Sequence, residues 1–115
     1  MDMIDKFSFG TMTVDSQIYN SDIKIINGTV VPDWWRTSGH TVDVDDIQDI
    51  LQAKPDIVVI GKGDPGHMRV TDTLKEHTAN HGITLIVENT SEARNTFNRL
   101  CREGRNVAGG FHLSC

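Results

Sequence analysis

The apolar residues of the C-terminal half of the chain fall into blocks whose period alternates between strand and helix. Asp56-Ile57-Val58-Val59-Ile60-Gly61 is a continuous apolar run between turn residues, the pattern of a strand covered on both faces of a parallel sheet. Val70 to His81 reads as a helix stopped by Gly82, and Ile83 to Val87 as a second buried strand. Ala93, Phe97, Leu100 and Cys101 share one helical stripe, Gly104 stands where that helix stops, and Val107 to Leu113 has the length of a third buried strand. Upstream, Val44, Ile47, Ile50 and Leu51 share a face of a helix predicted over Asp43 to Lys54. Asp43, Asp45 and Asp46 sit in its first turn, where the macrodipole favours acids, and Pro55 ends it. Strand, helix, strand, helix, strand with short links implies right-handed crossovers and a sheet covered by helices. Ile57–Ile60, Thr84–Val87 and Val107–Phe111 are therefore expected as neighbouring, mostly buried central strands.

The N-terminal third has a different rhythm. Phe7 to Val14 and Ile18 to Ile26 read as short strands separated by Asp15-Ser16-Gln17. Asn27-Gly28 is the strongest two-residue hairpin signal, so Thr29-Val30-Val31 returns antiparallel. Pro32-Asp33 interrupts that strand, which puts Trp34 and Trp35 at a sheet edge or in the loop after it. These hairpins are left to form a separate β layer. With no repeats or linkers, the expectation is one α/β domain over residues 1–115.

Composition narrows the partners. The chain has 115 residues and a formal net charge of -5, and its 11 Lys and Arg are scattered, which argues against nucleic acid. Charged residues at 23% and hydrophobic ones at 37% suit a soluble globular protein. Two cysteines, Cys101 and Cys115, make no disulfide framework and fit a reducing compartment. No apolar run is long enough for a membrane span, and the opening residues resemble neither a signal nor a transit peptide, so the expected location is the cytoplasm.

Several residue groups carry candidate chemistry. Gly61-Lys62-Gly63-Asp64-Pro65-Gly66 matches the letters of a dinucleotide fingerprint after a buried strand, with Glu88 ending the next strand. Pro65 pushes Asp64 away from helical geometry, however, and the helical period begins only near Val70, so no nicotinamide or flavin cofactor is expected. His77 and His81 stand at a metal-binding spacing without a third ligand, and no metal is expected. His112 reads as a hydrogen-bonded core histidine rather than a base. Ser114 and Cys115 beside it carry a nucleophile reading, set against simple closure of the sheet. Trp34 and Trp35 are either core and rim of the β layer or anchors for a partner, including a second copy of the chain. No catalytic residue is assigned. Gly61, Gly63 and Glu88 meet at one end of the parallel strands, where loop N–H groups could hold a small anion or carboxylate beside His112.

Taken together, Trp35, His40, the run Pro55 to Gly63, the run Asn89 to Arg105, and the closing Val107-Ala108 and His112-Leu113-Ser114-Cys115 resemble one small family. It includes the adipogenesis-associated protein and a mitochondrial complex I assembly factor. The resemblance implies a three-layer α/β domain: a central mixed, mostly parallel sheet, packed helices, and an additional N-terminal β-hairpin layer. It implies roles in assembly and regulation and brings no established catalytic residues or cofactor. His40 and Arg105 join the candidate pocket on the resemblance alone. Two departures stand out. Gly109-Gly110 replaces bulky apolar residues, which predicts a thinner strand and a cavity, and the Lys62 to Gly66 loop is unusually polar. The expected function is a non-enzymatic, assembly-factor-like domain binding a partner protein or a small anionic ligand. The alternative is a small-ligand protein or small-molecule enzyme with its pocket at the C-terminal ends of the parallel strands.

Overall fold

The computed structural model describes residues 2–115. Ile4–Ser8 (β1) reverses through Phe9-Gly10 into Thr11–Val14 (β2), and Asp15 and Ser16, both at positive φ, turn the chain into Gln17–Tyr19 (β3). These strands form an antiparallel sheet of order β1-β2-β3. The two strands expected at Phe7–Val14 and Ile18–Ile26 are each broken. Gly10, at φ 81, permits the reversal, and Asn20-Ser21-Asp22 carries the chain from the small sheet into the large one.

Ile23–Ile26 (β4) and Thr29–Val31 (β5) form the hairpin that Asn27-Gly28 predicts, with φ values of 50 and 76 at the two turn residues. This hairpin joins the central sheet, not the extra layer. That sheet also holds Ile57–Lys62 (β7), Thr84–Glu88 (β9) and Val107–His112 (β10), in the order β5-β4-β10-β7-β9. β10 runs parallel to β7 and antiparallel to β4, and β7 runs parallel to β9. The three expected parallel strands are thus neighbours, but β9 is an edge rather than a central strand. Because the hairpin adds on the far side of β10, nothing pairs beyond β9, and its residues are half-buried or exposed.

The period-two alternation of β7 divides the core. Ile57 and Val59 face Ala93, Phe97 and Leu100 of the helix Thr90–Arg102 (α3), together with Ile4, Met12 and Val14 of the small sheet. Val58 and Ile60 face Trp34, Ile47, Ile50 and Leu74 on the other side. There the helix expected over Asp43 to Lys54 is a 3₁₀ turn (Val44–Ile47) followed by a short α1 (Gln48–Gln52). Asp43 and Asp46 form a capping box at its start. Thr41–Val42 (β6) pairs in parallel with Arg69–Val70 (β8), so Val70 is a strand residue, and α2 spans Asp72–Asn80 behind a Thr71 cap. Buried Asn98 locks α3 to β1: its amide donates to the Ile4 carbonyl at 2.9 Å and accepts from the Ile4 N–H at 3.0 Å.

Gly109 and Gly110 open no cavity. A Cβ on Gly110 would lie 2.8 Å from Cη2 of Trp34, and one on Gly109 would lie 2.7 Å from Cε2 of Phe111 and 3.2 Å from Cδ1 of Phe97. Aromatic rings fill the space that side chains on this strand would take. Replacing Gly110 by Ala should therefore lower stability by about 1–3 kcal/mol through overpacking, measured by urea denaturation. An unchanged midpoint would show that the Trp34 ring gives way freely.

Candidate functional site

Asp22 lies in the link between the two sheets, beside the C-terminal end of β10. Its carboxylate accepts hydrogen bonds from Arg36 Nη2 at 2.8 Å, His112 Nδ1 at 2.7 Å and the Leu113 N–H at 2.8 Å. Arg36 is buried, donates also to the Gly39 carbonyl at 2.9 Å, and holds its guanidinium 4.6 Å from the centre of the Trp34 ring. Arg36 Nη2 is also 3.3 Å from His112 Nδ1. A guanidinium can only donate, so the shorter contact to Asp22 assigns the Nδ1 proton to the Asp22 bond. Burial pushes the Asp22 carboxyl up, but the bonds from His112, Leu113 and Arg36 outweigh it and hold the group below its ordinary value. Sequence reasoning misses Asp22 and Arg36. Each reads locally as an ordinary surface residue, and only the folded topology brings them to His112.

His112 is thus a hydrogen-bonded core residue, with the exposed His40 ring edge-on to it at a centroid distance of 5.9 Å. His112 Nε2 is buried and makes no hydrogen bond to Ser114 or Cys115. Those residues instead brace a loop: the Ser114 carbonyl accepts from the Asp64 N–H at 2.9 Å and the Cys115 carbonyl from the His67 N–H at 3.1 Å. The nucleophile reading has no geometry behind it. His77 and His81 stack at 4.2 Å, and His81 Nδ1 lies 2.8 Å from the His77 carbonyl, an arrangement within one helix end.

The glycines serve packing. The Gly63 N–H donates to Thr90 Oγ1 at 2.9 Å, and that hydroxyl donates to the His112 carbonyl at 2.6 Å, tying the loop after β7 to α3 and β10. A Cβ on Gly61 would lie 2.9 Å from the same Thr90 oxygen, and one on Gly63 would run into the Ser114 carbonyl. Their N–H groups are not an open anion cradle. Glu88 stands opposite Gly61 in register but accepts from Thr96 Oγ1 at 2.7 Å, facing α3. Arg105 is not part of the site. It precedes β10, which runs in the same direction as β7 and β9, so it lies exposed at the opposite end of the strands from His112. Trp34 is no partner anchor: it is 5% exposed and its indole N–H donates to the Asp46 carbonyl at 2.9 Å. Trp35 is 76% exposed.

A groove of about 550 Å³ opens at the C-terminal ends of β7 and β9, lined by Thr41, Lys62, Met68, Arg69, Val70, Thr71, Asp72, Lys75 and Val87. The chain leaves β7 for α2 on one face of the sheet and β9 for α3 on the other, the kind of switch point where open α/β sheets place ligand crevices. Among the described residues, no carboxylate lies within 4.0 Å of the charged groups of Lys62 or Arg69. Lys75 makes one long contact, 4.0 Å, to the largely exposed Asp72. None of the residues expected to form a pocket at this end of the sheet, His40, Gly61, Gly63, Glu88, Arg105 and His112, lines this groove; its cations are Lys62, Arg69 and Lys75.

Five mixed strands between α3 with its small sheet on one side and shorter helices on the other define a three-layer α/β domain. The family described as "Protein of unknown function (DUF498/DUF598)" matches residues 4–112, and the chain belongs to it. The solved structure of MT938 is 25% identical and superposes with a TM-score of 0.83 over 100% of both chains. The conserved hypothetical protein PH1505 from Pyrococcus horikoshii OT3 gives 0.82 at 20% identity, covering 97% of this chain and 98% of that one. A Bordetella pertussis protein described as a Mth938-like domain gives 0.69 at 17% identity, over 97% of this chain and 85% of that one.

The Asp22 cluster predicts a pH dependence. A carboxyl held below its unfolded value of about 3.9 contributes stability that is present above that value and is lost as pH falls through the folded one. Asp22→Asn should be less stable than the parent at neutral pH and should lose stability less steeply below about pH 4. Parallel slopes in acid denaturation of the two proteins would show that Asp22 does not carry the effect.

Proposed function

We propose that the chain is a non-enzymatic binding domain whose ligand is a small anion, a carboxylate or phosphate, taken into the groove at the C-terminal ends of β7 and β9. The observation that carries this reading is the convergence of Lys62, Arg69 and Lys75 on one open groove in a chain of net charge -5. Among the described residues half of the lysines and arginines elsewhere are matched, Lys24 with Asp49 at 2.7 Å, Arg36 with Asp22 at 2.8 Å, Arg99 with Glu103 and Arg102 with Asp2. Two unpaired cations and a third weakly paired one repel each other, and a bound anion relieves that repulsion. Of the groove's other polar side chains, the Thr71 hydroxyl is tied to Asp43 and the Leu74 N–H, and the Asp72 carboxylate is turned to solvent 4.0 Å from Lys75, which supports binding over catalysis.

Titration with inorganic phosphate and with acetate, followed by ¹⁵N NMR, should shift the amides of Lys62, Arg69 and Lys75. Lys62→Ala and Arg69→Ala should each weaken binding about two- to fivefold, the range for exposed charge pairs. Shifts spread evenly over the surface, or unchanged affinity in both variants, would contradict it.

A second reading, a partner protein bound in the manner of an assembly factor, is favoured by Trp35 at 76% and Phe9 at 61% exposed. Both follow or precede segments tied to the same link: Thr11 Oγ1 donates to Asn20 Oδ1 and the Asp33 N–H to Ser21 Oγ, each at 3.1 Å. The resemblance to the adipogenesis-associated protein and the complex I assembly factor supports this reading. So do the free thiols of Cys101 and Cys115, which suit a reducing, cytoplasmic setting. Trp35→Ala should reduce self-association by sedimentation velocity or capture of a partner by pull-down. Equal behaviour of parent and variant in both assays would remove the tryptophan from the account.

A further inference from the structure

The cationic groove does not end at Lys75. Between α2 and β9 it continues into a second, more apolar groove of about 350 Å³, lined by Thr78, Ala79, Ile83 and Leu85, with Lys75 and Val87 shared between the two. Alongside runs the open edge of the central sheet. The Thr84 N–H donates to the Asp56 carbonyl at 2.9 Å, toward β7. Peptide groups of successive strand residues point to opposite sides, so those of Leu85 and Val87 face away from the sheet, and among the described residues they have no partner. Natural sheets usually guard such an edge with lysine, proline or extreme shortness. The opposite edge does so: β5 is three residues long and runs into Pro32. β9, Thr-Leu-Ile-Val-Glu, has neither lysine nor proline.

We propose that the anion held by Lys62, Arg69 and Lys75 is the terminal carboxylate of an extended peptide that adds to β9 as a sixth strand. The inference rests on the anion-binding reading of the groove and names its ligand. β9 runs toward the cationic groove, so a peptide whose carboxylate ends there lies parallel to it. Its main chain bonds to the N–H and C=O groups of Leu85 and Val87, and alternate apolar side chains enter the groove against Ile83, Leu85 and Ala79. A fatty acid also combines an apolar tail with a carboxylate. It would leave the outward peptide groups of β9 unpaired, which favours the peptide.

The test uses the full chain and a displayed library of random heptapeptides with free carboxyl termini, followed by synthesis of the enriched sequences. Enriched peptides should carry apolar residues at alternate positions and should slow hydrogen exchange of the Leu85 and Val87 amides at least tenfold at saturation. Amidation of the terminus, or Arg69→Ala in the protein, should weaken them at least several-fold. Failure to enrich any peptide overturns the proposal, as does an enriched peptide that leaves Leu85 and Val87 unprotected or tolerates amidation. So does decanoate binding more tightly than every enriched peptide. Titration with inorganic phosphate separates the two levels: phosphate shifts at Lys62 and Arg69 with no peptide binding overturn the peptide alone. Absence of both removes the anion groove as well.

Discussion

The carboxylate of Asp22 holds together parts of the chain that are far apart in sequence. Its two oxygens take donors from Arg36, His112 and the Leu113 backbone, the last 91 residues away. The cost of desolvating the acid is offset by these donors, two of them able to bear charge. The consequences reach across the molecule. Arg36 is fixed against the Trp34 ring, the ring covers β10, and β10 can lie under it only because residue 110 has no side chain. The strand formed last in sequence is thereby clamped between β4 and β7.

The same clamp shapes the groove. Past Leu113, the Ser114 and Cys115 carbonyls accept from Asp64 and His67, and Thr90 joins Gly63 to the end of β10. Farther along, the Arg69 N–H donates to the His40 carbonyl at 2.9 Å, seating β8 against β6. The segment from Lys62 to Arg69 is therefore held at both ends by backbone bonds, so two of the groove's cations flank a braced loop and the third, Lys75, stands on α2. Half-buried Asp22 and buried His112 are bonded to each other and, through Arg36 and Leu113, to the surrounding chain.

Much of this fold is legible in the sequence because its signals are local. Continuous apolar runs mark β7 and β10, the Asn27-Gly28 pair fixes the β4–β5 hairpin, and the Ala93–Phe97–Leu100 stripe with Gly104 marks α3. What is not legible depends on partners distant along the chain. Nothing around Ile23 says that its hairpin will flank β10 and not the small sheet, and that choice is what leaves β9 at an edge. Phe9-Gly10 and Asn20–Asp22 break apparent strands where the chain changes direction or layer, and a glycine and three polar residues are weak signals for either. Arg105, included on the resemblance alone, falls at the other end because strand direction decides which end of the sheet a residue occupies. Arg69 reaches the groove only through the β6–β8 pairing, which is too short to have a pattern, and Lys75 sits on a helix that the sequence does predict, without showing which groove it lines. The double glycine suggests a void because the sequence does not show which ring will lie on it.

Crystals of the protein soaked in selenate, a phosphate-like tetrahedral anion with a strong anomalous signal, test the proposed anion site most directly. An anomalous peak within hydrogen-bond reach of both the Arg69 guanidinium and the Lys62 ammonium is the predicted result. Selenate bound only at other basic surfaces, with the groove between β7, β9 and α2 left empty, would contradict it.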